Sequence, residues 1–125
     1  MTKALIHKID CVQFYVPNLD VGIAFYCDQL GHELKWRMEK SAGLGLPESD
    51  TEIMLQTERQ ELEVDMLVDS ADAAVVRFEQ AGGKIIVPPF DIQVGRCAVV
   101  EDPWGNRFVL LDTSKGLLKQ MSIKM

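Results

Sequence analysis

The sequence predicts an α+β fold built from two equivalent βαβββ modules. Residues 9–20 and 62–72 follow one plan, an alternating run, a turn and then a helical pattern, at an offset of 52 that maps Val16 onto Val68. A repeat of this period indicates duplicated structural units. The expected boundaries are about 7–57 for module one, about 60–112 for module two, and 113–125 for a C-terminal tail.

The first module begins with a strand at residues 9–16, whose alternating apolar positions suit a half-buried strand. Pro17 ends it because proline donates no hydrogen bond. Asn18 then caps a helix, and Gly31 ends that helix in the position where glycine is favoured. The rest of the module is predicted as a strand at 32–37, a loop at 40–50 with a short strand before Pro47, and a strand at 52–56.

The second module repeats this order. Ser70 or Asp69 is expected to cap its helix, which continues to about Ala81, and the pair Pro88-Pro89 is expected to end the strand that follows. The remaining elements are predicted as strands at 61–68, 84–87, 95–101 and 107–112, with a tight turn at 102–106. The loops at 39–50 and 88–95 are expected to be mobile.

Composition limits the class of protein. The 125 residues, 47% hydrophobic and 26% charged, fit one soluble domain or two small modules with a common core. Thirteen basic and nineteen acidic residues give a net charge of −6 with no basic run, so we expect no nucleic-acid partner.

The sequence shows no sign of a membrane or export route. It has no apolar run near the ~20 residues that a membrane span needs, and its first residues lack the pattern of a signal peptide. Cys11, Cys27 and Cys97 are odd in number and widely spaced, which fits free thiols in a reducing compartment. We therefore expect a cytoplasmic protein with no membrane partner.

Two motifs are more specific than the general plan. One is the helix end Phe25-Tyr26…Leu30-Gly31, and the other is the turn Asp102-Pro103-Trp104-Gly105-Asn106. Together with the repeat, they resemble the vicinal-oxygen-chelate superfamily of glyoxalases, bleomycin-resistance proteins and extradiol dioxygenases over residues 7–112. The resemblance implies curved mixed sheets that enclose a pocket, commonly in a homodimer.

The resemblance also implies where a metal would bind. Metal-dependent members carry a histidine or glutamate at four places, which here are Cys11, Met54, Glu63 and Val109. Glu63 alone conforms, whereas Met54 offers a soft thioether and Val109 offers no donor, too few for a hard divalent ion. We expect no cofactor; a divalent metal, if bound, would use Glu63 and Cys11.

Strand alternation predicts which side chains line the concave face. Val12, Phe14 and Val16 are expected to pack against the first helix, as are Val64, Met66 and Val68 against the second. The predicted ligand-binding residues are Gln13, Tyr15, Trp36, Glu52, Met54, Gln56, Glu63, Asp65, Arg107 and Val109. A mostly apolar wall with a few polar groups is typical of a small-molecule pocket.

Glu63 is the candidate catalytic residue. In apolar surroundings its neutral form would be favoured, which suits a general base. The alternative is a carboxylate at the rim, solvated or paired with Arg107. Cys11 could be a nucleophile, but burial as a small packing residue is the commoner role. Trp36 and Tyr15 could stack on a flat ligand or pack in the core.

The leading functional hypothesis is a metal-independent, bleomycin-resistance-like protein that binds a small organic molecule. The nearby carboxylates and the acidic charge would favour a cationic or hydrogen-bond-donating ligand. One alternative is a metal-dependent lyase, isomerase or dioxygenase with an irregular site that includes Glu63. Another is a structural or regulatory dimer with an inert pocket. A homodimer is expected from the large apolar residues Trp36, Trp104 and Leu117-Leu118.

Overall fold

The computed structural model of the protein describes residues 3–116. Contacts within the chain divide these residues into two compact units. We call residues 10–64 the N-terminal unit, and residues 3–9 with 65–116 the C-terminal unit. The Leu117-Leu118 segment and the rest of the predicted tail beyond residue 116 lie outside the described residues.

The N-terminal unit contains the first βαβββ sequence of elements. These elements are β1 (Lys8–Tyr15, of which Lys8 and Ile9 belong to the C-terminal unit), α1 (Leu19–Ile23, continued by a π-helical segment, Ala24–Gln29), β2 (Glu33–Arg37), β3 (Ser41–Leu46) and β4 (Ser49–Gln56). The strands are ordered β2-β3-β4-β1. β1 runs parallel to β4, while β3 is antiparallel to both β2 and β4.

The ends of the first helix are set by two residues that the sequence identified. The Asn18 side chain accepts a hydrogen bond from the Val21 backbone N–H at 3.0 Å, and Gly31 adopts a φ of +82° that disfavours other residues. The helix packs on Leu44 and Leu55, both fully buried, together with Phe14 from β1. The predicted helix-facing side of β1 is therefore confirmed for Phe14.

The short strand predicted before Pro47 is confirmed as β3, but it is longer than expected and occupies most of the predicted loop at 40–50. The glycines that suggested a loop are sites of close approach by β2 side chains. A Cβ added to Gly43 would lie 1.9 Å from Trp36 Nε1, and one added to Gly45 would lie 2.7 Å from Lys35 Cε. The mobility expected at 39–50 depended on this loop. β3 is instead paired with a strand on each side, and its Leu44 is fully buried, so the expected lack of packing contacts is not found there.

The C-terminal unit repeats the plan. Its elements are β5 (Glu63–Leu67, of which Glu63 and Val64 belong to the N-terminal unit), α2 (Ala71–Gln80), β6 (Lys84–Asp91), β7 (Arg96–Glu101) and β8 (Arg107–Leu111). The order is β5-β8-β7-β6, with β5 parallel to β8. Ser70 caps α2, since its Oγ accepts from the Ala73 N–H at 3.2 Å. The predicted α+β class with two βαβββ modules is confirmed.

The core of the C-terminal unit lies between α2 and its sheet. Val68, Val75, Val100 and Leu110 are almost completely buried there, and Met66 packs against them. This confirms the predicted helix-facing side of β5 for Met66 and Val68. No helix within residues 3–116 has the length and apolar character to cross a membrane.

One strand boundary in this unit corrects the sequence prediction. β6 continues through Pro88 and Pro89 to Asp91 instead of ending at Val87. β6 is the outer strand of the order β5-β8-β7-β6, and prolines are tolerated in an edge strand because the missing N–H can face away from the neighbour. The pairing with β7 shifts register between Val87 and Phe90, where the prolines lie.

Candidate functional site

The two units place Met54 and Val109 at equivalent positions. In the N-terminal unit, Met54 of β4 is the Cα partner of Gln13 in β1. In the C-terminal unit, Val109 of β8 is the Cα partner of Asp65 in β5. The offset of 52 that relates the repeats maps Gln13 onto Asp65. The strand register therefore agrees with the positions that the family resemblance assigned to Met54 and Val109.

In the C-terminal unit, Val109 belongs to a small apolar cluster and lies opposite one buried carboxylate. Val109 is 8% exposed and clusters with Cys97 and Leu111. Asp65 is buried opposite Val109. Arg107, at the start of β8, donates from Nε to Glu101 Oε1 at 2.9 Å, and its side chain is largely exposed. Arg107 thus forms a salt bridge between β8 and Glu101 of β7.

A row of side chains crosses the four strands of the N-terminal unit. Trp36 pairs with Gly43, Gly43 with Met54, and Met54 with Gln13. A bulge lies between Leu34 and Trp36. Without the bulge, Leu34 and Trp36 would point to the same face of the sheet, because they are two positions apart in the strand. Because of it, Leu34 packs in the helix-side core while Trp36 faces the row.

Trp36 is held in place by a carboxylate on the same face. Its indole Nε1 donates to Glu52 Oε1 at 2.8 Å. Glu52 is the Cα partner of Cys11, which is 6% exposed. Tyr15 lies half-buried farther along β1, opposite Gln56. The predicted residues Cys11, Gln13, Tyr15, Trp36, Glu52, Met54, Gln56 and Glu63 therefore belong to one unit, whereas Asp65, Arg107 and Val109 belong to the other.

The polar centre of this face is a three-residue ring, which we call the Gln13–Arg59–Glu63 cluster. Gln13 Nε2 donates to Glu63 Oε2 at 2.7 Å, and Arg59 Nη2 donates to Gln13 Oε1 at 2.6 Å. Arg59 Nε lies 3.5 Å from Glu63 Oε1 and closes the ring. Gln13 is 5% exposed, while the side chains of Glu63 and Arg59 are 25% and 54% exposed.

Gln56 fixes the backbone from which Arg59 extends. Its Oε1 accepts hydrogen bonds from the N–H groups of Glu58 and Arg59, both at 2.8 Å, and its Nε2 donates to the Arg59 carbonyl at 2.5 Å. Gln56 is 3% exposed. Its amide is therefore engaged in the turn after β4, and it acts as a positioning residue for Arg59.

Arg59 is the residue of this site that the sequence analysis missed. Arg59 lies between the predicted boundaries of modules one and two, and residues between modules carry no periodic pattern that would assign them to a face. The available signal was a basic residue four positions before Glu63. That spacing is informative in a helix but not in a turn that leads into a strand.

The donors at the implied metal position do not fit a divalent metal centre. Glu63 is engaged by an amide and a guanidinium, Met54 offers a thioether, and Val109 offers no donor at all. Within residues 3–116, no group of three or more His, Cys, Asp or Glu side chains is arranged to hold a metal ion.

A separate concavity of about 640 Å³ lies at the β3–β4 hairpin. Its lining comprises Lys35, Gly45, Leu46, Pro47, Glu48, Ser49, Asp50, Thr51 and Glu52. Glu52 is the one residue that it has in common with the predicted ligand-binding set.

Comparison with known proteins places these observations in a family. The sequence model of the Glyoxalase/Bleomycin resistance protein/Dioxygenase superfamily matches residues 8–110. No curated protein matches the sequence significantly. Methylmalonyl-CoA epimerase from Mycobacterium tuberculosis has a similar structure, with a TM-score of 0.74 and 20% identity over 96% of this chain and 95% of that chain.

Two further solved structures, of proteins with different descriptions, have a similar fold. A protein described as NAD-dependent benzaldehyde dehydrogenase from Legionella pneumophila gives a TM-score of 0.69 and 20% identity, over 83% of this chain and 98% of that one. A variant of homoprotocatechuate 2,3-dioxygenase from B. fuscum gives 0.64 and 20% identity, over 91% of this chain and 34% of that one. At these identities the likeness concerns the fold alone.

Proposed function

Since this chain belongs to the Glyoxalase/Bleomycin resistance protein/Dioxygenase superfamily, we propose that it binds a small organic molecule without a divalent metal ion. The proposed surface is the face of the N-terminal unit that carries the Gln13–Arg59–Glu63 cluster. The observation that carries the proposal is the state of Glu63: its Oε2 accepts a 2.7 Å hydrogen bond from Gln13, and its Oε1 faces Arg59.

The chemistry of Glu63 supports the absence of a metal. A metal ion would have to displace both the Gln13 amide and the Arg59 guanidinium from this carboxylate. It would then find Met54 as its neighbour on β4, and a thioether is a poor ligand for a hard ion. A catalytic metal centre generally needs three protein ligands as well as an open position.

The composition of the surface supports a small organic ligand. Met54 and the Trp36 ring supply apolar area in one row, and the row ends at Gln13, whose amide bonds the exposed Arg59 side chain. Glu52 orients the indole through its 2.8 Å hydrogen bond, so the ring is held in one position before a ligand arrives. A fixed aromatic ring beside a few polar groups is a common arrangement in small-molecule sites.

Metal analysis and ligand screening test the proposal together. The wild-type protein and a Glu63→Ala variant would be purified without chelators and assayed for bound metals by mass spectrometry. Chelator-treated wild-type protein would then be screened for thermal stabilisation by small organic molecules, because stabilisation follows occupancy. We expect less than stoichiometric metal in both proteins and stabilisation by a subset of the molecules.

Two results would contradict the proposal in different ways. Stoichiometric metal in the wild-type protein that is lost in Glu63→Ala would favour the metal-dependent lyase, isomerase or dioxygenase. The absence of both metal and ligand stabilisation would favour a structural or regulatory protein with an inert face.

A further inference from the structure

We infer that the Arg59 guanidinium supplies the positive charge that a metal ion would supply in a metal-dependent relative, and that the ligand of this face is a carboxylate with an apolar body. The inference deepens the proposed function and rests on it. It starts from Glu63, which the family resemblance assigns to a metal-ligand position. In this protein the cation beside Glu63 belongs to the chain itself, at an Nε–Oε1 distance of 3.5 Å.

The geometry of a guanidinium decides which of its N–H groups remain for a ligand. A guanidinium has five N–H donors in one plane. The Nε–H and one Nη2–H lie along the same edge, and this edge faces Glu63 and Gln13. The end formed by Nη1 and the second Nη2–H is the other edge of the guanidinium, and Nη1 donates to no acceptor within residues 3–116. This edge can bind both oxygens of a carboxylate in the paired arrangement that arginine favours.

The guanidinium is held in position before any ligand binds. Gln56 binds the backbone of residue 59 at both its N–H and its carbonyl, and Gln13 binds the end of the side chain. Both glutamines are at least 95% buried, at 3% and 5% exposure. Positioning of this kind reduces the conformational entropy that a ligand would otherwise have to overcome.

The same contacts change the expected charge of the ligand. The sequence favoured a cationic ligand because of nearby carboxylates, but Glu63 is engaged by Gln13 and Arg59, and Glu52 accepts from Trp36. The Arg59 side chain is 54% exposed, against 25% for Glu63. Within the cluster, the positive group is therefore the one more accessible to an approaching ligand.

The apolar part of the ligand follows from the residues next to the cluster. Met54 is the Cα partner of Gln13, and Gln13 bonds Arg59 directly. From Met54 the row continues across Gly43 to Trp36. Met54 is thus the apolar residue of the row that lies next to the cluster, and an acid with an aromatic or branched aliphatic body would suit this apolar row.

Calorimetric titration with three probes of similar shape tests this inference. Benzoate, benzamide and benzylamine would be titrated into chelator-treated wild-type protein and into Arg59→Gln and Arg59→Lys variants. Arg37→Gln is the matched control, since Arg37 lies in the same unit but pairs with Asp20 of α1. Thermal unfolding and circular dichroism would verify the fold of each variant.

We expect benzoate to bind wild-type protein and Arg37→Gln equally, and more tightly than benzamide or benzylamine. Arg59→Gln should weaken benzoate binding by roughly tenfold to a hundredfold, the range for hydrogen bonds to charged groups. The affinity of Arg59→Lys for benzoate should fall between those of wild type and Arg59→Gln, because lysine keeps the positive charge but cannot form the paired hydrogen bonds.

The contrary outcomes separate this inference from the proposed function. If benzamide or benzylamine binds as well as benzoate, or if benzoate binds Arg59→Gln like wild type, the inference is wrong and metal-free ligand binding stands. Failure of benzoate to bind at millimolar concentration also overturns the inference. If benzoate binds only after a divalent metal is added back, both the inference and the proposed function are wrong.

Discussion

The indole of Trp36 lies so close over Gly43 that a Cβ on residue 43 would stand 1.9 Å from the indole Nε1. No side chain other than hydrogen fits there while Trp36 keeps its hydrogen bond to Glu52. Gly43 is thus a specific requirement of the aromatic ring on the candidate binding face. It connects the sequence of β3 to the geometry of the site.

The first prediction follows from this contact. Gly43→Ala should lower the free energy of unfolding by about 1–3 kcal/mol, because the ring must move and a well-packed face resists overpacking. The same substitution in a Trp36→Ala background should cost much less, since the clashing atoms are gone. Urea unfolding of the four proteins in this double-mutant cycle measures the difference. Equal costs in both backgrounds would show that the Trp36–Gly43 contact is not responsible.

The second prediction concerns the turn that carries Arg59. Gln56→Ala removes the acceptor of the Glu58 and Arg59 N–H groups and the donor to the Arg59 carbonyl. Hydrogen exchange of these two amides should become faster, while exchange at Leu44 in β3 should be unchanged. Benzoate binding should weaken although Arg59 itself is intact. Unchanged exchange at residues 58 and 59 would mean that Gln56 does not hold this turn.

The third prediction concerns Asp112, which is 2% exposed and joins the start of α2 to β7. Burial raises the pKa of its carboxyl, but hydrogen bonds from the Ala71 N–H, the Ser114 hydroxyl and the Arg96 N–H outweigh burial, so the pKa lies below its usual value. A lowered folded pKa means that ionised Asp112 stabilises the fold above the unfolded value of about 3.9. This stabilisation is lost as the pH falls through the lower, folded pKa.

Asp112→Asn should therefore reduce stability at neutral pH by about 2 kcal/mol, because the amide loses the charge-assisted bonds. The difference from wild type should shrink as the pH falls below about 4. Asp69→Asn is the control, since the Asp69 side chain is 88% exposed. Thermal unfolding across this pH range measures both variants, and a pH-independent difference for Asp112→Asn would refute the assignment.

The fourth prediction is a homodimer. Trp36 no longer supports it, because that side chain is engaged by Glu52 within the chain. Trp104 is 83% exposed and Val21 is 67% exposed, and large apolar groups at the surface are typical of interfaces. Sedimentation at micromolar concentration should give twice the chain mass, and Trp104→Gln should shift the equilibrium toward monomer. A monomeric wild-type protein under these conditions would refute the prediction.

The architecture was predictable because the same local features, such as helix caps and alternating strands, occur in both modules. Asn18 and Ser70 cap the helices as their side-chain chemistry predicts, and Gly31 has the positive φ that its place after the helix requires. Strand alternation correctly put Phe14 and Met66 on the helix-facing sides. These features depend on residues near in sequence, where local rules apply.

The site was less predictable because it depends on contacts between distant residues. Gln13 and Glu63 are 50 positions apart, and Gln13 and Arg59 are 46 apart. No local pattern indicates that an arginine in a junction will bond to a buried glutamine. Gly43 was misread for a related reason: the ring that requires it comes from another strand.

We propose that this family member binds its ligand through its own residues, with no divalent metal. The most direct test is a calorimetric titration of benzoate into chelator-treated protein, repeated after zinc, nickel or iron(II) is added back. We expect the same dissociation constant in every case, and binding to Arg59→Gln that is weaker by roughly tenfold to a hundredfold. Benzoate binding that requires the added metal, and persists in Arg59→Gln, would contradict this proposal.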